Sequence, residues 1–340
     1  MSGHHRFDLR DFRLQCGVTL PDAQLTYQTY GTLNADKSNA VLYPTSYGAQ
    51  HADTEWLIGP GRVLDPDHWF IVIPNMFGNG LSTSPSNIAD PFGPERFPLV
   101  THWDNVHAQR KMLADVFGIK RLALIYGWSM GAQQALHWGA LFPQAVERIV
   151  AVCGSARTSV HNDVFLQGVH ATLTGDPYWT GTHFTAPPTR GLRAMGRIYA
   201  GWAMSQSFYR ERLYETIGYG SLEDFIVRSW EANFLRRDAH DLLASLATWR
   251  ASDISDNDVF NGDLKVALEA ITARSIVIPS QTDLYFTPED SRIETAMMPN
   301  AELRVMPSIW GHRAGNPVQH SEDEAFLRQA VDDILKWQPN

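Results

Sequence analysis

Cysteine is nearly absent. The chain of 340 residues holds two, Cys16 and Cys153, too few for a disulfide framework. No Cys-x-x-Cys and no His/Cys pair stands at metal-ligand spacing. No Walker loop and no Gly-x-Gly-x-x-Gly fingerprint is present. The sequence therefore signals neither a metal nor a bound cofactor, and none is expected. No apolar stretch approaches the length of a membrane span. The polar start Met1-Ser2-Gly3-His4-His5-Arg6 lacks the apolar core of a secretory signal. Positive charge is in deficit: 28 Lys and Arg face 37 Asp and Glu, for a formal net charge of −9. That balance argues against nucleic acid and against anionic membrane surfaces as partners. A reducing cytoplasm is the expected compartment.

What is present is a core. Apolar residues make up 44% of the chain, and the length suits one large α/β domain carrying an insertion. Val18-Thr19-Leu20 and Leu25-Thr26-Tyr27 flank Pro21-Asp22, which reads as a hairpin turn, and His4 and His5 read as a frayed end. Short apolar strands are expected at Ala40 to Tyr43, Trp69 to Ile73, Leu122 to Ile125, Ile149 to Cys153, Ser275 to Ile278 and Leu303 to Met306. Helical spacing marks residues 102–118, the stretch after residue 131, and a last helix opened by a capping box at Ser321-Glu322-Asp323-Glu324. Thr287-Pro288-Glu289-Asp290 starts another helix. The Gly-, Ser- and Pro-rich loop from Asn75 to Pro98 is long enough to help shape a site mouth.

Strands alternating with helices imply a mainly parallel, doubly wound sheet with helices on both faces. Residues 156–262 break the pattern. They show no β-like runs, are rich in aromatics such as Tyr199, Trp230 and Trp249, and read as a mostly helical insertion that caps the core of residues 1–155 and 263–340. Most of its aromatics are expected to form a small core of its own, and some to line a pocket.

The chain is organised around Tyr126-Gly127-Trp128-Ser129-Met130-Gly131. Strand, Gly-x-Ser-x-Gly and helix in succession are the setting of a nucleophile elbow. The sharp turn strains Ser129, demands glycine on either side, and aims the following helix's N-terminus at charge forming there. A serine nucleophile needs a base, and the base an orienting carboxylate. In this arrangement the acid and then the histidine follow the serine in the chain. Asp283 ends the strand at Ser275 to Ile278, and His312 follows the last strand. His102, His107 and His137 lie on expected helices and read as packing or surface residues. Asp290 and Glu289 are accounted for by a helix cap. Two backbone N–H groups should meet the developing oxyanion. One is that of Met130. The other is that of Ser46, with Tyr47 the runner-up, in the loop after the Ala40 strand.

With these residues in place the chain resembles the homoserine O-acetyltransferase family of the α/β-hydrolase superfamily. Gly59-Pro60-Gly61 with Leu64-Asp65, the Gly127 to Gly131 elbow, Asp176-Pro177-Tyr178-Trp179, Pro187-Pro188, Gly262-Asp263-Leu264 and Asp283 with Phe286-Thr287-Pro288 carry the likeness. It implies a Ser-His-Asp triad, a helical lid, a homodimer formed through that lid, and acyl transfer from an acyl-CoA to an amino-acid hydroxyl. Two departures stand out. Arg313 occupies the place after the histidine where the family has an Asp for the substrate's amino group. Arg197 is the candidate counterpart of the lid arginine that holds the substrate's carboxylate, and Ala203-Met204-Ser205 replaces the family's Tyr-Arg-Ser. Both argue against an amino-acid acceptor.

The expected activity is that of a serine hydrolase on a carboxylic ester or related acyl substrate, with Trp128, Tyr47, Arg197 and Arg313 as candidate substrate contacts. A CoA-dependent O-acyltransferase with an altered acceptor is the alternative. A non-catalytic binding protein on the same fold is a third, which the intact Ser, Asp and His oppose.

Overall fold

The structure, a computed structural model, describes residues 3–317 and 320–337. Eight strands form one sheet in the order β1-β2-β4-β3-β5-β6-β7-β8. They are β1 (His5–Arg13), β2 (Thr19–Tyr30), β3 (Ala40–Leu42), β4 (Phe70–Pro74), β5 (Leu124–Trp128), β6 (Arg148–Val152), β7 (Arg274–Ile278) and β8 (Ala301–Leu303). From β4 to β8 all pairings are parallel, while β1–β2 and β2–β4 are antiparallel. The inner parallel strands β3 to β7 are largely apolar and buried on both faces, as a sheet covered by helices on both sides requires, while the edge strand β8 is half-buried.

The helices are α1 (His102–Phe117), α2 (Met130–Leu141), α3 (Val160–Thr174), α4 (Thr189–Ala203), α5 (Gln206–Arg210), α6 (Leu222–Phe225), α7 (Ala232–Leu235), α8 (Ala239–Arg250), α9 (Leu264–Glu269), α10 (Pro288–Thr295) and α11 (Ser321–Lys336). One wide π-turn, Ile226–Glu231, joins α6 to α7. Gly118 closes α1 in the left-handed region, and Thr287 caps α10 by accepting the Asp290 N–H. No helix among the described residues is long and apolar enough to cross a membrane.

Four details differ from the sequence reading. Pro21-Asp22 is not the hairpin turn. The chain reverses at residues 14–18, where Leu14 N–H donates to Val18 O at 2.8 Å, and Pro21 lies inside β2. Proline is tolerated there because β4 pairs only with Tyr27 to Tyr30, so this part of β2 has no strand on its second side. His5 is not frayed: it opens β1 and stacks on Tyr27 at 5.2 Å. The last strand is Ala301–Leu303, two residues earlier than expected, and Met306 is reduced to a single bridge with Ser280. The cap of α11 is His320, whose Nδ1 accepts the Asp323 N–H at 3.4 Å, so Ser321 is the first helical residue.

Residues 156–262 hold α3 to α8 and no strand of the sheet. Their aromatics do not form a separate core. Phe165, Tyr199, Phe208, Trp230 and Trp249 belong to one continuous apolar cluster with Tyr43, Tyr126 and Val152 of the sheet. Burying those rings against the sheet fixes the helical segment over the ends of the strands. The loop 75–98 braces this segment instead of lining the cavity below it. Gly78 O accepts the Ser245 hydroxyl at 2.8 Å, and Ser86 donates to the Asp241 carboxylate at the start of α8.

Candidate active site

Ser129 stands between β5 and α2 with φ 58° and ψ −127°, a left-handed-side conformation that costs a non-glycine residue energy. The surroundings hold it. Its N–H donates to Val152 O of β6 at 2.9 Å. A Cβ on Gly127 would come within 2.3 Å of Gly131 O, and one on Gly131 within 2.6 Å of Pro44 O. The first glycine lets the turn close on itself. The second lets the loop after β3 press against the start of α2. Ser46 ties that same loop to the elbow: its hydroxyl donates to Trp128 O and accepts the Gly131 N–H at 3.3 Å.

The other two members come from later strand ends. Asp283 follows β7. One carboxylate oxygen accepts the N–H groups of Tyr285 at 2.8 Å and Phe286 at 3.2 Å, which leaves the second oxygen for a partner. His312 follows β8 on a short loop that Thr282 fastens to the acid loop, donating to Ser308 O at 2.9 Å and accepting the Gly311 N–H at 3.1 Å. His312 Nδ1 lies 2.8 Å from Asp283 Oδ2, and Nε2 lies 3.0 Å from Ser129 Oγ. All three side chains are buried. Trp128 stacks on the imidazole at 5.1 Å and donates its indole N–H to His312 O at 3.3 Å, while Tyr285 meets the ring edge-on at 4.7 Å. The imidazole is thus fixed by packing as well as by its two hydrogen bonds.

Among the described residues the N–H groups of Met130, Ser46 and Tyr47 have no acceptor. They are therefore free for a ligand oxygen, Met130 at the positive end of α2. Ser129 and His312 open into a cavity of about 250 Å3. The loop after β3 contributes Tyr47, the helical segment contributes Tyr199, Trp230 and Trp249, and Arg313 and Asn316 stand beyond the histidine. Tyr47 stacks parallel to Tyr199 at 5.8 Å and donates its hydroxyl to Leu242 O at 3.1 Å.

The structure brings Ser129, Met130, Asp283, His312, Ser46, Tyr47, Trp128 and Arg313 to this one place. It does not bring Arg197. That side chain is exposed and engaged by Glu231 at 2.7 Å and Glu223 at 2.5 Å, so its charge is neutralised away from the cavity. Of the rival histidines, His102 and His137 are buried against each other at 5.2 Å on α1 and α2, and burial holds both below the usual imidazole range.

Sequence reasoning assigned no site role to three neighbours. Cys153 Sγ, Asp283 and His312 offer ligand atoms within 4.8 Å of one another. A metal there would need the thiolate, but burial pushes the Cys153 thiol well up, and the histidine and aspartate already bond each other. The donor set therefore does not suit a metal. Asn316 was missed, and Trp230 was expected only as one of several aromatics of the helical segment, some of them lining a pocket. Nothing local in their sequence marks them, because only the packing of the helical segment turns them to the cavity.

A mainly parallel sheet with a serine elbow after the fifth strand, and an acid and a histidine on later strand ends, defines an α/β-hydrolase-fold enzyme. The model of the alpha/beta hydrolase fold matches residues 56–308, and the chain belongs to that family. It is 36% identical to an ethyl acetate hydrolase of Pseudomonas veronii over 302 residues, 88% of this chain and 86% of that protein. It is 35% identical to a homoserine O-succinyltransferase of Methylibium petroleiphilum over 313 residues, 82% of this chain and 79% of that one. The crystal structure of an acetylester hydrolase from Corynebacterium glutamicum superposes with a TM-score of 0.92 at 33% identity, covering 97% of this chain and 96% of that one.

Proposed function

We propose that the protein hydrolyses small carboxylic esters through an acyl-enzyme on Ser129. The observation that carries this reading is the Ser129–His312–Asp283 chain of contacts, 3.0 Å and 2.8 Å long, at the floor of a cavity of about 250 Å3. A cavity of that size suits a short ester. The ethyl acetate hydrolase and acetylester hydrolase relatives favour the same substrate class.

In this reading Ser129 Oγ attacks the acyl carbon while His312 Nε2 takes its proton. Asp283 holds Nδ1–H and stabilises the imidazolium that forms. The carbonyl oxygen becomes an oxyanion that accepts N–H from Met130 and from Ser46 or Tyr47. Losing one such donor costs about a hundred- to a thousandfold in rate. The C–O bond to the alcohol breaks as His312 returns the proton to the leaving oxygen. Water then attacks the acyl-serine with His312 as base, and the carboxylic acid departs.

The homoserine O-succinyltransferase relative favours a second reading, transfer of an acyl group from acyl-CoA to a hydroxyl acceptor. Against an amino-acid acceptor stand Arg313 beside the histidine, which repels an ammonium, and Arg197, which is already paired. Simple acetate esters and acetyl-CoA, offered side by side with and without alcohol acceptors, separate the two. Hydrolysis predicts acid release from esters without an acceptor. CoA release that depends on an acceptor, with negligible ester turnover, would reverse the assignment.

We expect the helical segment to act as the lid of this site. We also expect a homodimer joined through it and a cytoplasmic setting, the latter in keeping with two unpaired cysteines.

A further inference from the structure

The cavity does not end at the triad. A second chamber of about 220 Å3 adjoins it and shares four wall residues with it: Trp230, Asn233, Arg313 and Asn316. Its remaining walls are largely apolar, with Phe225 and Trp310 prominent. Its polar groups are unusual because they are unspent. Asn316 is 7% exposed and Trp230 is 9% exposed, yet the Asn316 Oδ1 and the Trp230 indole N–H have no partner among the described residues. Buried polar groups without partners are costly and rare, and each wants an explanation.

Arg313, half-buried between the two chambers, has no ion-pair partner either: no carboxylate lies within ion-pair distance of it among the described residues. Val318 and Gln319, nearby in the chain, carry no charge. The one carboxylate in these walls is already taken. Asp53 is held by Arg236 at 2.8 Å and Arg237 at 2.5 Å. Burial disfavours the charged form of Arg313, but a guanidinium stays protonated at neutral pH. The walls of the two joined chambers thus hold, among the described residues, a guanidinium with no ion-pair partner, an unpaired indole N–H and an unpaired amide oxygen. Trp230 stands on the wide π-turn at Ile226–Glu231, a backbone irregularity of the kind that re-aims a side chain at a binding site.

We propose that the second chamber is a carboxylate subsite, in which Arg313 and the Trp230 N–H take an acid group on the far end of the substrate while its ester lies against Ser129. The substrate class is then the half-ester of a short dicarboxylic acid, or an ester whose alcohol bears a carboxylate. The fork of the guanidinium matches a carboxylate's two oxygens. An ammonium would be repelled, and a neutral substrate would leave the cation bare.

This deepens the hydrolase reading and rests on it for turnover but not for binding, so the test has two arms. In the first, kcat/KM is measured for mono- and diesters of succinate, glutarate and adipate. The wild type should favour at least one half-ester over its diester, and the preference should shrink as salt rises. In Arg313→Met that ratio should fall by roughly ten- to a hundredfold, and in Arg313→Lys it should fall less. The ratio is insensitive to a general loss of active protein. In the second arm, glutarate and succinate are titrated calorimetrically into wild type and Arg313→Met, both checked for the same thermal transition. Binding by the wild type alone supports the subsite whether or not any ester turns over. A wild type without half-ester preference that binds neither dianion overturns it, and so does an Arg313→Met variant that keeps both. If no ester is hydrolysed at all, the hydrolase reading falls and the calorimetric arm alone decides the subsite.

Discussion

The elbow and the helical segment wall the same cavity by different means. At the elbow nearly every group is committed. Ser129 N–H goes to Val152 O, the Ser46 hydroxyl goes to Trp128 O, Asp283 accepts two backbone N–H groups, and a single Cβ on either flanking glycine would strike backbone. Above it, the segment is held mainly by rings. Tyr199, Trp230, Phe234 and Trp249 pack against one another and against Tyr285, and several of their polar atoms have no partner among the described residues. Directional bonds fix a reacting atom to a fraction of an ångström, which chemistry requires. Apolar packing fixes a wall firmly but leaves its polar groups free to meet a substrate. The division assigns rate to the elbow and selectivity to the segment above.

The sharpest way to break that division is to remove the hydroxyl. Ser129→Ala should cut ester kcat by roughly a thousandfold or more while leaving folding intact, since only the oxyanion donors and the cavity remain. Steady-state assays with a thermal scan read both. Next in size, Gly131→Ala should cost about 2–4 kcal/mol in urea unfolding, because the new methyl meets the Pro44 carbonyl at 2.6 Å and neither backbone can yield. An unchanged midpoint would show that the elbow is less rigid than its contacts imply.

The junction between the two regions gives a pH signature. Glu294 on α10 accepts the N–H groups of Ala156 at 2.9 Å and Arg157 at 3.3 Å, where the chain leaves the sheet for the helical segment. Burial pushes its carboxyl from 4.5 up to about 7. A raised acid pKa means that the folded protein holds the proton more tightly. That contribution to stability is whole below about pH 4.5 and is lost as pH rises through 7. Glu294→Gln should therefore gain on the wild type between pH 5 and 8, by up to about 3 kcal/mol in unfolding free energy. A difference that stays flat with pH would contradict it. The smallest effect belongs to the segment's own fastening. Tyr47→Phe removes the hydroxyl's bond to Leu242 O and should cost about 1 kcal/mol, with kcat nearly unchanged.

The same contrast explains what the sequence could convey. The elbow was legible because its steric demands are local: a strand, two glycines and a helix within a dozen residues. Asp283 and His312 were legible because topology forces them onto particular strand ends in a set order. The N-terminal hairpin was misread because Pro21-Asp22 carries turn chemistry, yet β2 has no strand partner on its second side there and so tolerates it. The Ser321 capping box was misread because the His320 ring supplies the acceptor one residue earlier. Arg197 was misplaced because its partners, Glu223 and Glu231, lie many residues away and become neighbours only when α4 packs on the π-turn. For the same reason no motif pointed to Trp230 or Asn316. Their role depends on a cavity that several separate elements enclose together.

The central claim is that the Ser129 hydroxyl takes the acyl group. Rapid-quench mass spectrometry during turnover of an acetate ester tests it most directly. One acetyl group on the peptide containing Ser129, formed before the acid accumulates and absent from Ser129→Ala, is the predicted result. Full turnover with no acyl group on that peptide, or turnover that survives Ser129→Ala, would contradict it.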